Sequence, residues 1–127
     1  MKGRVVVKIQ ESAENYLETI LILSKAHPVV RSVDIAEELG FKKSSVSVAM
    51  KNLRELGHIT VSKEGFINLT ASGHEIADMI YERHQLLSAW LVKLGVDEKT
   101  ASEDACKIEH VISKESFEAI KKHVNKK

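Results

Sequence analysis

One stretch, 32–57, does most to restrict what this chain can become. Ser32 is a good N-cap and Asp34 suits a first turn, so a short helix opens there. Ile35, Ala36 and Leu39 share one side of it. Gly40 then offers the left-handed conformation that ends a helix and turns the chain. Beyond Phe41, Lys42 and Lys43, the serines Ser44 and Ser45 can cap a second helix, whose apolar stripe is Val46, Ala49, Met50, Leu53 and Leu56. The opposite face carries Ser44, Ser47, Val48, Lys51 and Asn52, groups that are small or hydrogen-bonding. Lys42, Lys43, Lys51 and Arg54 are basic, and no acid interrupts 41–54. Two helices joined by a glycine turn, the second polar and basic on its free face, describe a helix-turn-helix. The bland alternative for this stretch is a helical hairpin with a solvated face.

The residues after Gly57 favour the helix-turn-helix. Ile59, Thr60 and Val61 alternate, 62–65 is a turn, and 66–69 resumes the β pattern. A hairpin directly after a recognition helix is the wing of a winged helix, with Lys63 at its tip placed for a phosphate. Upstream, 4–9 is β-branched and reads as a strand. From Ser12 the pattern turns helical, with Tyr16, Leu17, Ile20, Leu21 and Leu23 on the buried side, and Pro28 stops it. Glu11, Glu14, Asn15 and Glu18 fall at its start, where acids suit the helix dipole.

At 127 residues the chain is one compact domain or two small lobes. Its net charge of +1 argues neither for nor against nucleic acid. Residues 1–70 hold 10 basic and 8 acidic side chains and 71–127 hold 9 and 10, so the basic excess is local to the second helix. One cysteine excludes an internal disulfide and suits a reducing cytoplasm. No apolar run reaches membrane-spanning length. The expected organisation is therefore mainly α, with a winged helix-turn-helix over 1–70 and an all-helical region over 71–127.

In that second region Thr70 or Ser72 can cap a long helix ending before Gly95, with stripe Ile76, Ile80, His84, Leu87 and Leu91. Asp97 caps the next, with stripe Ala101, Ala105, Ile108 and Ile112. Ser113 breaks it, and Phe117, Ile120 and Val124 line a last short helix. So much apolar surface exceeds what one small winged helix needs, and a homodimer through Trp90, Leu91, Phe117 and Ile120 would use it. On the penultimate helix Cys106, Glu109 and His110 share an arc of roughly 100°. A thiolate, a carboxylate and an imidazole there form half of a transition-metal site, for which His84, Glu18 and Asn15 are partners. Two other readings stand beside it: a small buried cysteine next to an exposed Glu/His pair, and a Cys-His catalytic pair. The latter lacks an orienting residue and any oxyanion site.

Several blocks together resemble the diphtheria-toxin-repressor family of metal-dependent regulators of iron or manganese homeostasis. They are 16–20 (YLETI), 35–39 (IAEEL), 45–47 (SVS), 69–73 (LTASG), Arg83-His84 and 106–110 (CKIEH), and the resemblance spans about 12–124. It implies a winged helix reading double-stranded operator DNA, a helical dimerisation region, and a divalent corepressor, iron(II) or manganese(II). The family's primary ligands fall on Asn15, Cys106, Glu109 and His110, and the manganese-type members add the positions of Glu18 and His84. Iron-type members carry methionine where Asn15 stands and manganese-type members aspartate; Cys106 is iron-like and Glu18 manganese-like. Ser88 and Ser102 replace a glutamate and a histidine of the iron-type ancillary site, and the SH3-like domain of larger members is absent. Zinc, cobalt and nickel are expected to bind in vitro, with affinity falling as pH drops through the histidine range. The expected protein is a cytoplasmic repressor, not an enzyme, with no membrane or small-molecule substrate. A metal-independent winged-helix repressor is the alternative, and an adaptor holding structural zinc is the reading from another class.

Overall fold

The structure, a computed structural model, describes the backbone of residues 2–126 and the side chains of 11–126. Six helices and one hairpin follow in the order α1 (Lys2–Ala26), α2 (Ser32–Leu39), α3 (Lys43–Glu55), β1 (Ile59–Val61), β2 (Ile67–Leu69), α4 (Ala71–Lys93), α5 (Glu98–Val111) and α6 (Lys114–Val124). They form two compact units, Met1–Asp78 and Met79–Lys127, so the division falls inside α4. Among the described residues no helix is long and apolar enough to cross a membrane.

In the first unit α1 packs on α2 and on β2, α2 on α3, and α3 on β1. Leu17 and Ile20 of α1, Ile35 of α2, Val46, Met50 and Leu53 of α3, Ile59 and Ile67 are buried together with Val30. Apart from Val30, which lies in the coil before α2, these positions fall on the helical and strand patterns. Gly40 ends α2 at φ 68°, ψ 30°, the left-handed conformation that a side chain would strain. The hairpin pairs Ile59 with Leu69 and Val61 with Ile67, and the amide of Ile67 donates to the carbonyl of Val30 at 2.7 Å, tying the wing to the chain before α2. Thr70 caps α4: its Oγ1 accepts from the amide of Gly73 and donates to the carbonyl of Gly57 at 2.7 Å. Gly73 is obligatory for a different reason, since a Cβ there would overlap the carbonyl oxygen of His58.

Several local expectations are corrected. Residues 4–9 are not a strand but the start of α1. β-Branched residues cost a helix only tenths of a kcal/mol each, and a strand there has no described partner to pair with. With α1 beginning at Lys2, Glu11, Glu14, Asn15 and Glu18 lie well inside the helix, beyond the reach of its dipole. Ser32 is the first helical residue rather than the cap; Arg31 occupies that position, and its amide donates to Asp34 Oδ2 at 2.9 Å. Ser44 and Ser45 lie within the first turn of α3, whose N-cap is Lys42. Leu56 leaves the stripe and is exposed, because α3 ends at Glu55.

The second unit packs the rest of α4, α5 and α6 around Leu87, Ala105 and Phe117, with Leu86, Trp90, Ile108, Ile112 and Ile120 against them. Asp97 caps α5 by accepting from the amides of Lys99 and Thr100, and Ser113 caps α6 by accepting from Ser116 at 3.1 Å. Phe117, expected on a dimer face, is consumed by this core at 3% exposure. Trp90, Leu91 and Ile120 stay half-buried, and Met79, Val92, Leu94 and Val111 are exposed.

Candidate functional site

Two groups of residues carry chemistry, one in each unit. In the first, α3 buries Val46, Met50 and Leu53 and thereby turns Ser44, Ser45, Ser47, Val48, Lys51 and Arg54 outward, all exposed. Val48 is 61% exposed, an unusual placement for an aliphatic residue on a helix whose other free-face groups are polar. Lys42 and Lys43 are exposed at the N-terminus of α3, where no side chain caps the free amides. Lys63 is exposed in the wing turn, which is closed by Ser62 Oγ accepting from the amide of Phe66 at 3.0 Å. The result is a convex, acid-free helix face bordered by lysines, of a size that a DNA major groove admits.

In the second unit, one side chain of α4 meets the last turns of α5. His84 Nδ1 lies 2.9 Å from Glu109 Oε2, and the ligand atoms of His84, Cys106 and Glu109 all fall within 4.8 Å of one another. His110 Nε2 is 3.4 Å from the other carboxylate oxygen, Glu109 Oε1. Glu109 has no exposed side-chain surface, and its Oε1 is buried without accepting a hydrogen bond. Cys106 is exposed and His84 partly so. This is the reverse of a buried cysteine beside an exposed Glu/His pair, and that reading falls. Hydrogen bonding to Cys106, then to Glu109, pushes the His84 imidazole up from its ordinary value to about 10, against the opposing effect of burial. A buried carboxylate oxygen that accepts no hydrogen bond, a thiol and two imidazoles are donors that suit a divalent first-row ion.

Asn15 and Glu18 stand on α1 in the first unit. Glu18 is buried and Asn15 half-buried. The backbone carbonyl of Asn15 accepts from Thr19 Oγ1 at 2.8 Å. Arg83 escaped the reading of the stripes. It is buried, and its Nη1 donates to the carbonyls of Glu109 (3.1 Å) and Ile112 (2.9 Å). The signal was available: Arg83 lies three residues after Ile80 and four before Leu87, on the apolar line of α4.

A winged helix joined to a helical unit with a His/Cys/Glu cluster defines a class, the transcriptional regulators that answer to a metal ion. Residues 8–66 match the N-terminal DNA-binding domain of iron-dependent repressors, and residues 70–126 match their metal-binding and dimerisation domain. An uncharacterised HTH-type transcriptional regulator of Methanocaldococcus jannaschii is 38% identical over 115 residues, covering 89% of this chain and 92% of that protein. The transcriptional regulator MntR of Escherichia coli is 33% identical over 112 residues, covering 88% and 72%. Among solved structures, the manganese regulator SloR superposes with a TM-score of 0.80 at 27% identity, and a manganese-dependent transcriptional repressor in complex with manganese with 0.80 at 28%. The chain spans about half the length of both, 53% and 52%, and 89% and 88% of it is covered. The chain belongs to the iron-dependent repressor family, also called the diphtheria-toxin-repressor family. These likenesses favour a metal-dependent regulator over a metal-independent one.

Proposed function

We propose that the chain represses transcription by binding operator DNA as a homodimer when His84, Cys106, Glu109 and His110 hold a divalent ion, iron(II) or manganese(II) in the cell. One observation carries this: three donor atoms within 4.8 Å gathered on a carboxylate whose second oxygen is buried without a hydrogen bond. A divalent ion supplies there the positive charge that two anionic donors call for. Asn15 and Glu18 of α1 complete the ligand set, as the resemblance implies. The 1–70 region reads DNA and the 71–127 region binds metal and dimerises, a division that the family domains at 8–66 and 70–126 support.

Ser44, Ser47, Val48 and Lys51 face the major groove, and Val48 is placed to touch a thymine methyl. Lys42, Lys43, Arg54 and Lys63 contact phosphates, with Ser45 beside them at the start of α3. A symmetric dimer presents two such helices to half-sites about 34 Å apart, and a coupling of roughly 1–3 kcal/mol between ion and DNA changes operator affinity about 5- to 150-fold. Because a thiolate favours later ions, zinc(II), cobalt(II) and nickel(II) bind in vitro as well, and selectivity rests on supply. The test is operator binding titrated with iron(II), manganese(II) and zinc(II) under reducing conditions. Stimulation by an ion is expected; DNA binding indifferent to all three overturns the metal switch, and no DNA binding at all leaves the adaptor.

A further inference from the structure

Arg83 is 8% exposed, and one of its nitrogens, Nη1, donates to two carbonyls, those of Glu109 and Ile112. Its guanidinium lies over the Phe117 ring, 5.5 Å from the centroid. These carbonyls need a donor because α5 stops at Val111 and Ile112 is extended (φ −71°, ψ 137°), which orphans the last turn. The first of them belongs to the residue whose side chain forms the buried centre of the cluster. Neighbouring residues of α4 thus grip Glu109 twice: Arg83 holds its backbone and His84 its carboxylate. Arg83 Nε is buried without a hydrogen bond, and a permanent charge has been taken out of water, a cost that the two carbonyl bonds offset.

We propose that Arg83 is a positioning residue for the metal centre: by fixing the backbone of Glu109 it keeps Cys106, Glu109 and His84 converged before an ion arrives. Arg83 touches no ion; its contribution is to remove the ordering that binding would otherwise require. This rests on the metal reading above.

The test uses the full chain under reducing conditions with cobalt(II), whose thiolate-to-metal and visible bands report both affinity and ligand geometry. Arg83→Lys keeps the charge but is one bond shorter than the reach of Nη1 and lacks the planar group over Phe117, and Arg83→Met keeps volume alone. Both are expected to lower cobalt affinity, by about 10- to 100-fold for Arg83→Met and less for Arg83→Lys, and to move the visible bands. If the parent takes up no cobalt, the metal reading itself fails, and this proposal with it. If the parent binds and the variants match it in affinity and band position, Arg83 is a packing residue and the proposal is wrong. It is equally wrong if affinity falls only in step with the melting temperature while the bands stay in place. Should Arg83→Met not fold, Arg83→Lys decides alone by the same criteria.

Discussion

Cys106 and His84 make opposite demands of a mutational test. Cys106 is exposed, so Cys106→Ala removes a ligand without opening a cavity. The expected result is a metal-free protein that still folds, with only the small loss that follows from the missing His84 hydrogen bond, together with loss of metal-stimulated operator binding in a gel-shift or anisotropy titration. A variant that answers to metal like the parent would make the thiol incidental. His84 matters to folding as well. Its value is raised from 6.5 to about 10, so its stabilising contribution is complete below 6.5 and is lost as pH rises through about 10. Metal-free protein should therefore lose stability between those limits, a loss absent from His84→Gln, as urea titrations at several pH values would show. Metal affinity should move the other way over the same interval, rising with pH, because an ion must displace that proton. How far this was legible differs by residue. Cys106, Glu109 and His110 share one helix turn, so their convergence could be read from spacing. That Glu109 is the buried member and Cys106 the exposed one could not, since periodicity gives a direction on a helix and not what packs against it.

Among the elements, α3 carries the sharpest expectations. Val48→Ala should change sequence preference among operator variants while leaving affinity for random DNA nearly unaltered. Lys43→Ala should weaken all sequences alike and reduce the salt slope by about one. Equal losses on operator and random DNA for Val48→Ala would displace that residue from the groove. The join of β2 to α4 gives a prediction about stability. Gly73→Ala drives a methyl group into the His58 carbonyl and should cost at least about 1–3 kcal/mol, measured by urea unfolding. The helix-turn-helix and wing were legible because each bears its own punctuation: Gly40 between α2 and α3, the 62–65 turn between the strands. Residues 4–9 misled because valine-rich runs satisfy strand preference locally, whereas the continuous ladder of α1 holds them helical. Helix caps misled in the same way: Ser32, Ser44 and Ser45 have capping chemistry, yet each helix begins one or more residues earlier than its serine suggested.

For the whole molecule, the expectation is a homodimer at micromolar concentration by sedimentation equilibrium, and a monomer with or without metal would remove it. The apolar surplus that suggests a dimer was visible in composition, but its location was not. Phe117 turned inward, and only the packing of α6 on Leu87 and Ala105 reveals that. An ion bound to the folded protein alone should also raise stability by about 2.7 kcal/mol at a hundredfold excess over its dissociation constant. Helix α4 has one more implication. It starts at Ala71, directly after β2, carries His84 in the other unit, and the division at Asp78 falls inside it with no loop between. Most two-part proteins are joined by linkers, which tolerate cutting, lengthening and the exchange of parts between relatives. A fragment ending at this seam would keep only about two turns of α4, too little to remain helical by itself. Recombination between such regulators should therefore favour breakpoints before Ala71, in the turn at Thr70, over any point in the helix beyond it.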